Sequence, residues 1–213
     1  MKSVQVLAAL DWFLKSTDRP MMIKVDDDVV FDPDRLDEIL NISDKCSNCN
    51  CCRPTNSSRE VWGIWGHIIH GMVPHRSGRW EVSIKEFPGN AFPSFAMGSF
   101  YILSREAAAE VLYQLVQVEG KGLVHLEDVA ITGQLREGAG LGLVNAWTLI
   151  RTNLVMYRRD DAKRKLTAAS VLRSVVVFLG QGGGDLEEKA EWVWRNVWGK
   201  DYTQIQGTGY RVQ

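Results

Sequence analysis

Two groups of carboxylates stand out by type and spacing. Asp26-Asp27-Asp28 open directly from the apolar run Met21 to Ile23, and Glu127-Asp128 close a second apolar run that begins at Leu123. Three adjacent anions repel one another, so a fold that concentrates them commonly gathers a cation to offset the cost. In an extended chain alternate side chains share a face, which puts Asp26 and Asp28 on one side and Asp27 on the other. Oxygen donors paired in this way suit a hard divalent ion such as Mn²⁺ or Mg²⁺. The triplet also reads as a solvated acidic turn that leads into the helix-start pattern Asp32-Pro33-Asp34. Glu127-Asp128 has two readings as well. It is an N-terminal cap with favourable helix-dipole charge, or, beside the triplet, the source of a carboxylate that takes a proton while the other cluster holds a metal.

The four cysteines fall together, at Cys46, Cys49, Cys51 and Cys52. Their spacing is compatible with a zinc or cluster site, a disulfide knot, or a polar Asn- and Ser-rich surface loop. Two glycosylation sequons, Asn41-Ile42-Ser43 and Asn56-Ser57-Ser58, bracket them and matter only in the secretory lumen. The 213 residues, 45% hydrophobic and 24% charged, are enough for one cored domain, alone or with an extension. A net charge of −1 argues against nucleic-acid binding through a bulk basic field. No stretch approaches the roughly 20 apolar residues of a membrane span. Asp11 and Lys15 interrupt any signal-peptide apolar region, so the chain as written is expected to carry no anchor or leader.

The elements that must position these residues follow from periodicity. Val4, Leu7, Ala8, Leu10 and Leu14 recur at helical spacing, with Trp12 and Phe13 adding apolar bulk, and predict a helix packed on a sheet. Ser16 to Pro20 ends it. Met21 to Val25 then reads as a buried strand with the triplet at its carboxyl end, where α/β sheets bind ligands. Asp32 is expected to cap a second helix, with Pro33 at its first position, running to Leu40. Val61 to Ile69 and Trp80 to Ile84 read as strands, and Phe87 to Pro93 as a turn-rich aromatic loop. Phe95 to Leu103 is small and apolar, with Gly98 and Ser99 at its middle. Ser104 caps a helix from Arg105 to Val118. A further helix covers Val129 to Glu137, and Leu141 to Thr148 reads as a last strand. If their strands neighbour, the two carboxylate clusters meet at one edge of the sheet. Beyond Tyr157 the pattern loosens into a charged stretch, 159–165, and a Gly-rich one, 180–184. A Trp-bearing helix follows, Asp185 to Trp198, whose tryptophans cover a core or face a partner.

An ordered set of segments resembles the β1,3-galactosyltransferase-like hexosyltransferases, inverting enzymes of the GT-A fold. The set is Ile23-Lys24-Val25-Asp26-Asp27-Asp28-Val29-Val30-Phe31, then Gly78-Arg79-Trp80, then Phe87-Pro88 with Phe92-Pro93-Ser94-Phe95-Ala96-Met97-Gly98-Ser99-Phe100-Tyr101-Ile102-Leu103-Ser104, then His125-Leu126-Glu127-Asp128-Val129. The resemblance spans about residues 4 to 158. It implies an α/β chain with a partial GT-A-like (Rossmann-like) mixed sheet flanked by helices over 1–158, and a helical C-terminal extension over 159–213. It further implies transfer of galactose or an N-acetylhexosamine from a UDP-sugar donor to a glycan acceptor on glycoprotein or glycolipid, in a β1,3 linkage, in the Golgi lumen. Mn²⁺ or another divalent cation is the implied cofactor, with Asp28 its direct ligand. Asp26 and Asp27 are then on metal-bound water or the nucleotide ribose. Asp128 resembles the general base, and Glu127, Trp80 and the loop around Gly98 would shape the sugar pocket. Trp80 also reads as ordinary core.

The chain departs from the family pattern in several places. As written, it is expected to lack the strand–helix region that precedes the first helix in the family, and the membrane anchor. The family's metal-site histidine is absent, since His67, His70, His75 and His125 all precede the last strand. Ala96 stands where many members have cysteine. Three other readings therefore remain: a catalytically inactive binding protein that keeps the half-fold, a small zinc protein using the cysteines, and a metal phosphohydrolase.

Overall fold

The computed structural model describes residues 2–36, 63–119, 121–145, 155–156, 176–178, 186–196 and 198–199. The cysteine loop, both sequons and the expected domain boundary at 158 lie outside the described residues. The chain divides into two compact units, one of residues 1–26 and 55–146, the other of residues 27–54 and 147–213.

The first unit is a four-stranded mixed sheet with helices packed on it. Its strands are β1 (Met21–Val25), β3 (Ile64–Ile69), β4 (Phe95–Ser104) and β5 (Leu143–Asn145), in the order β1-β4-β3-β5. β4 runs antiparallel to both β1 and β3, and β5 lies parallel to β3. An inner strand covered on both faces needs apolar residues on both faces, and β4 is buried along its length except at Met97 and Gly98. Among the described residues β1 pairs with β4 alone, and it is half-buried rather than buried, with Val25 exposed.

Helix α1 (Lys2–Ser16) buries Leu10 and Phe13 against the sheet, and α2 (Arg105–Gln117) buries Ala107, Ala108 and Val111. Each large apolar side chain so buried contributes roughly 1.5–3 kcal/mol. Val4 and Trp12, expected to add to the apolar face of α1, are exposed. Ser104 caps α2 as expected, its Oγ accepting from the Ala107 N–H at 3.1 Å. The next residue ties three elements together. Arg105 donates through its guanidinium to the carbonyls of Thr17 (2.7 Å) and Leu14 (2.5 Å), and its backbone N–H donates to Pro20 O at 2.8 Å. It thus satisfies carbonyls at the end of α1 that the helix itself leaves open.

Two expected elements differ. Residues 80–84 form no strand, because the backbone groups of 75–89 are committed locally. Arg76 donates to the carbonyls of Val82, Phe87 and Gly89, and the Val82 N–H donates to His75 O. The helix after Asp128 is wound as a π-helix over Val129–Leu135 and closes with one α-turn, Arg136–Gly138.

The second unit contains β2 (Val29–Phe31), β6 (Val155–Met156) and β7 (Val176–Phe178), in the order β2-β7-β6. Asp32 caps the helical residues 33–36, its Oδ1 accepting from the N–H groups of Asp34 and Arg35. Helix α3 (Leu186–Asn196) buries Ala190, Val193 and Trp194, and the Trp194 ring meets Trp198 edge-on at 4.7 Å. These two tryptophans cover a core.

Candidate active site

The site of the first unit grows from an irregularity in β4. Gly66 of β3 pairs with Tyr101, but Ile68 pairs with Ala96, so Met97, Gly98, Ser99 and Phe100 face the single residue His67. Such a bulge withdraws backbone groups from the ladder and makes them available for other partners. Gly98 uses both of its own. Its carbonyl accepts from the Lys24 ammonium, and its N–H donates to Asp128 Oδ2 at 3.1 Å. A Cβ on residue 98 would lie 3.1 Å from Asp128 Oδ2 and 3.2 Å from Asp128 Cβ, so glycine here permits the close approach.

Lys24 stands on β1 two residues before Asp26, hence on the same face. Its ammonium donates to Asp26 Oδ1 at 2.5 Å and lies 3.6 Å from Glu127 Oε2, besides its bond to Gly98. The Asp26 N–H donates to Ser99 O at 3.0 Å, which carries the β1–β4 pairing one residue further. On the other side of Glu127, the buried Tyr101 hydroxyl donates to Oε1. Asp26, Gly98, Glu127 and Asp128 are therefore brought together around one lysine.

Asp128 begins the helix, and both its oxygens are held by backbone N–H groups, Oδ1 by Val129 (2.9 Å) and Oδ2 by Gly98. Thr132 fastens that helix to β4. Its Oγ1 accepts from the Ala96 N–H at 2.8 Å, while its O–H faces the Asp128 carbonyl at 2.7 Å and the Ala96 carbonyl at 3.1 Å. The helix-cap and proton-acceptor readings of Asp128 are thus compatible, since the same carboxylate that caps the helix sits among the other acids.

Burial sets the electrostatics. Desolvation raises the Asp128 carboxyl above its ordinary value, against the lowering effect of its backbone hydrogen bonds and of Lys24. Desolvation also raises Glu127, opposed by the Tyr101 hydrogen bond and Lys24 and assisted by Asp128 and Asp26. The Tyr101 phenol is pushed well above its usual value by burial and by the carboxylates around it, so it stays a hydrogen-bond donor.

Asp27 and Asp28 form a turn after β1 and belong to the second unit, Asp27 exposed and Asp28 buried. The strand does not continue through them, so the alternation of faces expected for an extended triplet does not apply. Trp80 is half-exposed in the 70–94 loop, its ring 4.8 Å from the Arg79 guanidinium, and the described contacts do not join it to the carboxylate cluster. Among the described residues no three His, Cys, Asp or Glu side chains converge as a complete metal cage. A cation carried with a diphosphate needs only one or two protein carboxylates, since phosphate oxygens and water fill its other positions. Asp26, with 34% of its side chain exposed, fits that lesser requirement.

Residues 2–146 match the family model described as galactosyltransferase. The chain belongs to the galactosyltransferase family. Its mixed sheet flanked by helices is consistent with a GT-A-like fold. It is similar to the beta-1,3-galactosyltransferase bre-2 of Caenorhabditis elegans, 28% identical over 144 residues, which cover 65% of this chain and 36% of that protein. It is also similar to the UDP-GalNAc:beta-1,3-N-acetylgalactosaminyltransferase 2 of Mus musculus, 30% identical over 95 residues, covering 45% of this chain and 16% of the relative. The human protein of the same name is 26% identical over 95 residues. The chain thus spans about a third or less of the length of these relatives. The matched region contains every member of the Lys24 cluster.

Lys24, Tyr101 and Thr132 were not among the residues that the sequence pattern singled out. A signal existed for the first: a lone cation inside a short apolar strand, in step with Asp26, asks for buried anions. Tyr101 and Thr132 carried no such mark, because hydroxyls within apolar segments are ordinary in sheets and helices.

Proposed function

We propose that this family member is an inverting hexosyltransferase that moves galactose or an N-acetylhexosamine from a UDP-sugar to a glycan hydroxyl in a β1,3 linkage. The observation that carries the reading is Asp128, a carboxylate whose two oxygens are fixed by backbone donors and whose basicity is raised by burial. A base of this kind is stronger than a solvated aspartate. In the proposed reaction the Asp128 carboxylate takes the proton of the acceptor hydroxyl. The hydroxyl oxygen forms a bond to the anomeric carbon as the bond to the diphosphate oxygen breaks. UDP leaves with the electron pair, and displacement from the opposite face converts an α-linked donor into a β-linked product.

The diphosphate leaves as a concentrated anion, and a divalent cation such as Mn²⁺ supplies charge neutralisation there when bound. By family resemblance Asp28 and Asp26 would hold that ion, with Asp27 toward its water or the ribose. Glu127, the Gly98 loop and Trp80 shape the sugar pocket on the same basis, and the Golgi lumen is the proposed location. Asp128→Asn tests the reading, because the amide keeps the shape and cannot accept the proton. UDP binding is expected to persist while transfer falls by at least about 100-fold, the lower end of general-base contributions. Equal loss of binding and transfer would remove Asp128 from the role of base.

A further inference from the structure

We propose that Lys24 is the positioning residue of this site: by clamping the Gly98 backbone in the β4 bulge, it sets the direction of the Asp128 carboxylate. The inference rests on the reading of Asp128 as base. An ammonium has three N–H donors, and Lys24 has three acceptors around it: Asp26 Oδ1, the Gly98 carbonyl and Glu127 Oε2. Its side chain is 13% exposed, so little of that capacity goes to water. Gly98 sits where β4 has left its register with β3, and within a bulge the backbone has no ladder to fix its orientation. Lys24 supplies the missing restraint on the carbonyl side, while the N–H of the same residue holds Asp128 Oδ2.

The second contribution is to spacing. The carboxyl groups of Asp26, Glu127 and Asp128 are crowded into a partly buried region, and Lys24 is the cation placed beside the first two. Tyr101 fixes the far oxygen of Glu127 and leaves Oε2 toward the ammonium. Lys24 itself touches no reacting atom. It acts through Gly98, and the result is a base whose remaining lone pairs keep one direction. Misplacement of a reacting group by about 1 Å costs on the order of 100-fold in rate.

The test compares wild type with Lys24→Met, which keeps the stem and removes the ammonium. Initial rates give kcat and the donor KM, and amide hydrogen exchange reads the Gly98 N–H in the absence of substrates. Lys24→Met is expected to lower kcat about 100-fold, with kcat/KM for the donor falling by the same factor, and to speed exchange at Gly98. A raised donor KM with unchanged kcat would mean that Lys24 acts through Asp26 alone, and would overturn the proposal. Unchanged exchange at Gly98 would overturn it as well. If wild type shows no transfer, the reading of Asp128 as base fails, and the exchange measurement still decides whether Lys24 clamps Gly98. Should Lys24→Met fail to fold, Lys24→Arg serves in its place. A planar guanidinium cannot reproduce, from one nitrogen, two convergent hydrogen bonds and an ion pair at 3.6 Å, so wild-type kcat and wild-type exchange in that variant would also overturn the clamp.

Discussion

Glu127 and Asp128 are adjacent in the chain yet differently held. Glu127 is engaged by side chains, Tyr101 and Lys24, and Asp128 by backbone N–H groups. The carboxyl values of both are raised in the folded state, with desolvation the main cause. A raised folded-state value means that the native protein binds protons more tightly than the unfolded chain. The associated stability is therefore fully present below the ordinary carboxylate range and lost as pH rises through the raised value. Glu127→Gln is expected to flatten that descent, visible as a smaller fall in Tm above pH 4.5, the ordinary glutamate value. A pH dependence of Tm identical to wild type would show that Glu127 does not titrate in this window. The acid limb of the transfer rate is expected to lie above the ordinary aspartate range, because Asp128 must ionise before it accepts a proton. The sequence marked both acids by their place after an apolar run. It could not mark which would be held by side chains, since that depends on what β4 and β1 bring across from elsewhere in the chain.

At the scale of elements, the decisive contact is between β4 and the helix that follows Asp128. Helical spacing indicated a helix over 129–137, and a helix is present there. It is π-wound, and Thr132 reaches both its own preceding turn and Ala96 on β4. Thr132→Val replaces the hydroxyl by a methyl of similar size and leaves the Ala96 N–H without that acceptor. The expected loss is about 1–3 kcal/mol of stability by denaturant unfolding, with Thr132→Ser close to wild type. Equal loss in both variants would show that the methyl group, and not the hydroxyl, does the holding. The helix starts at Ser104 and Asp32 were legible because a cap needs only a short side chain and the N–H groups two or three residues on. The strand expected at 80–84 was not, because alternation of apolar residues says nothing about the Arg76 guanidinium that draws the carbonyls of this segment together.

Across the whole molecule, a net charge of −1 provides no long-range field to gather an anionic nucleotide. On the proposed reading, donor binding comes from local groups and from a cation. UDP is expected to bind with Mn²⁺, to lose affinity in chelator, and to lose it again in Asp28→Asn, as followed by calorimetry. Binding of UDP to folded protein that ignores both changes would remove the metal from the donor site, and no binding at all would favour a non-catalytic relative. The family and the sheet-with-helices class were readable because the carboxylate, Gly98 and Glu127-Asp128 segments occur in order. How the sheet is threaded was not, since pairing of β1 with β4 joins residues as far apart as Met21 and Ser104. That threading has a consequence for how the chain folds. β3 and β4 are closer in sequence, pairing Ile64 with Leu103, whereas β1 has to close a longer loop to reach the same strand. During refolding the β3–β4 hairpin-like core and its helices are expected to gain protection before β1 docks. An early species would then carry most of the native secondary structure while Lys24 is still undelivered, so recovery of transfer should lag behind recovery of circular dichroism.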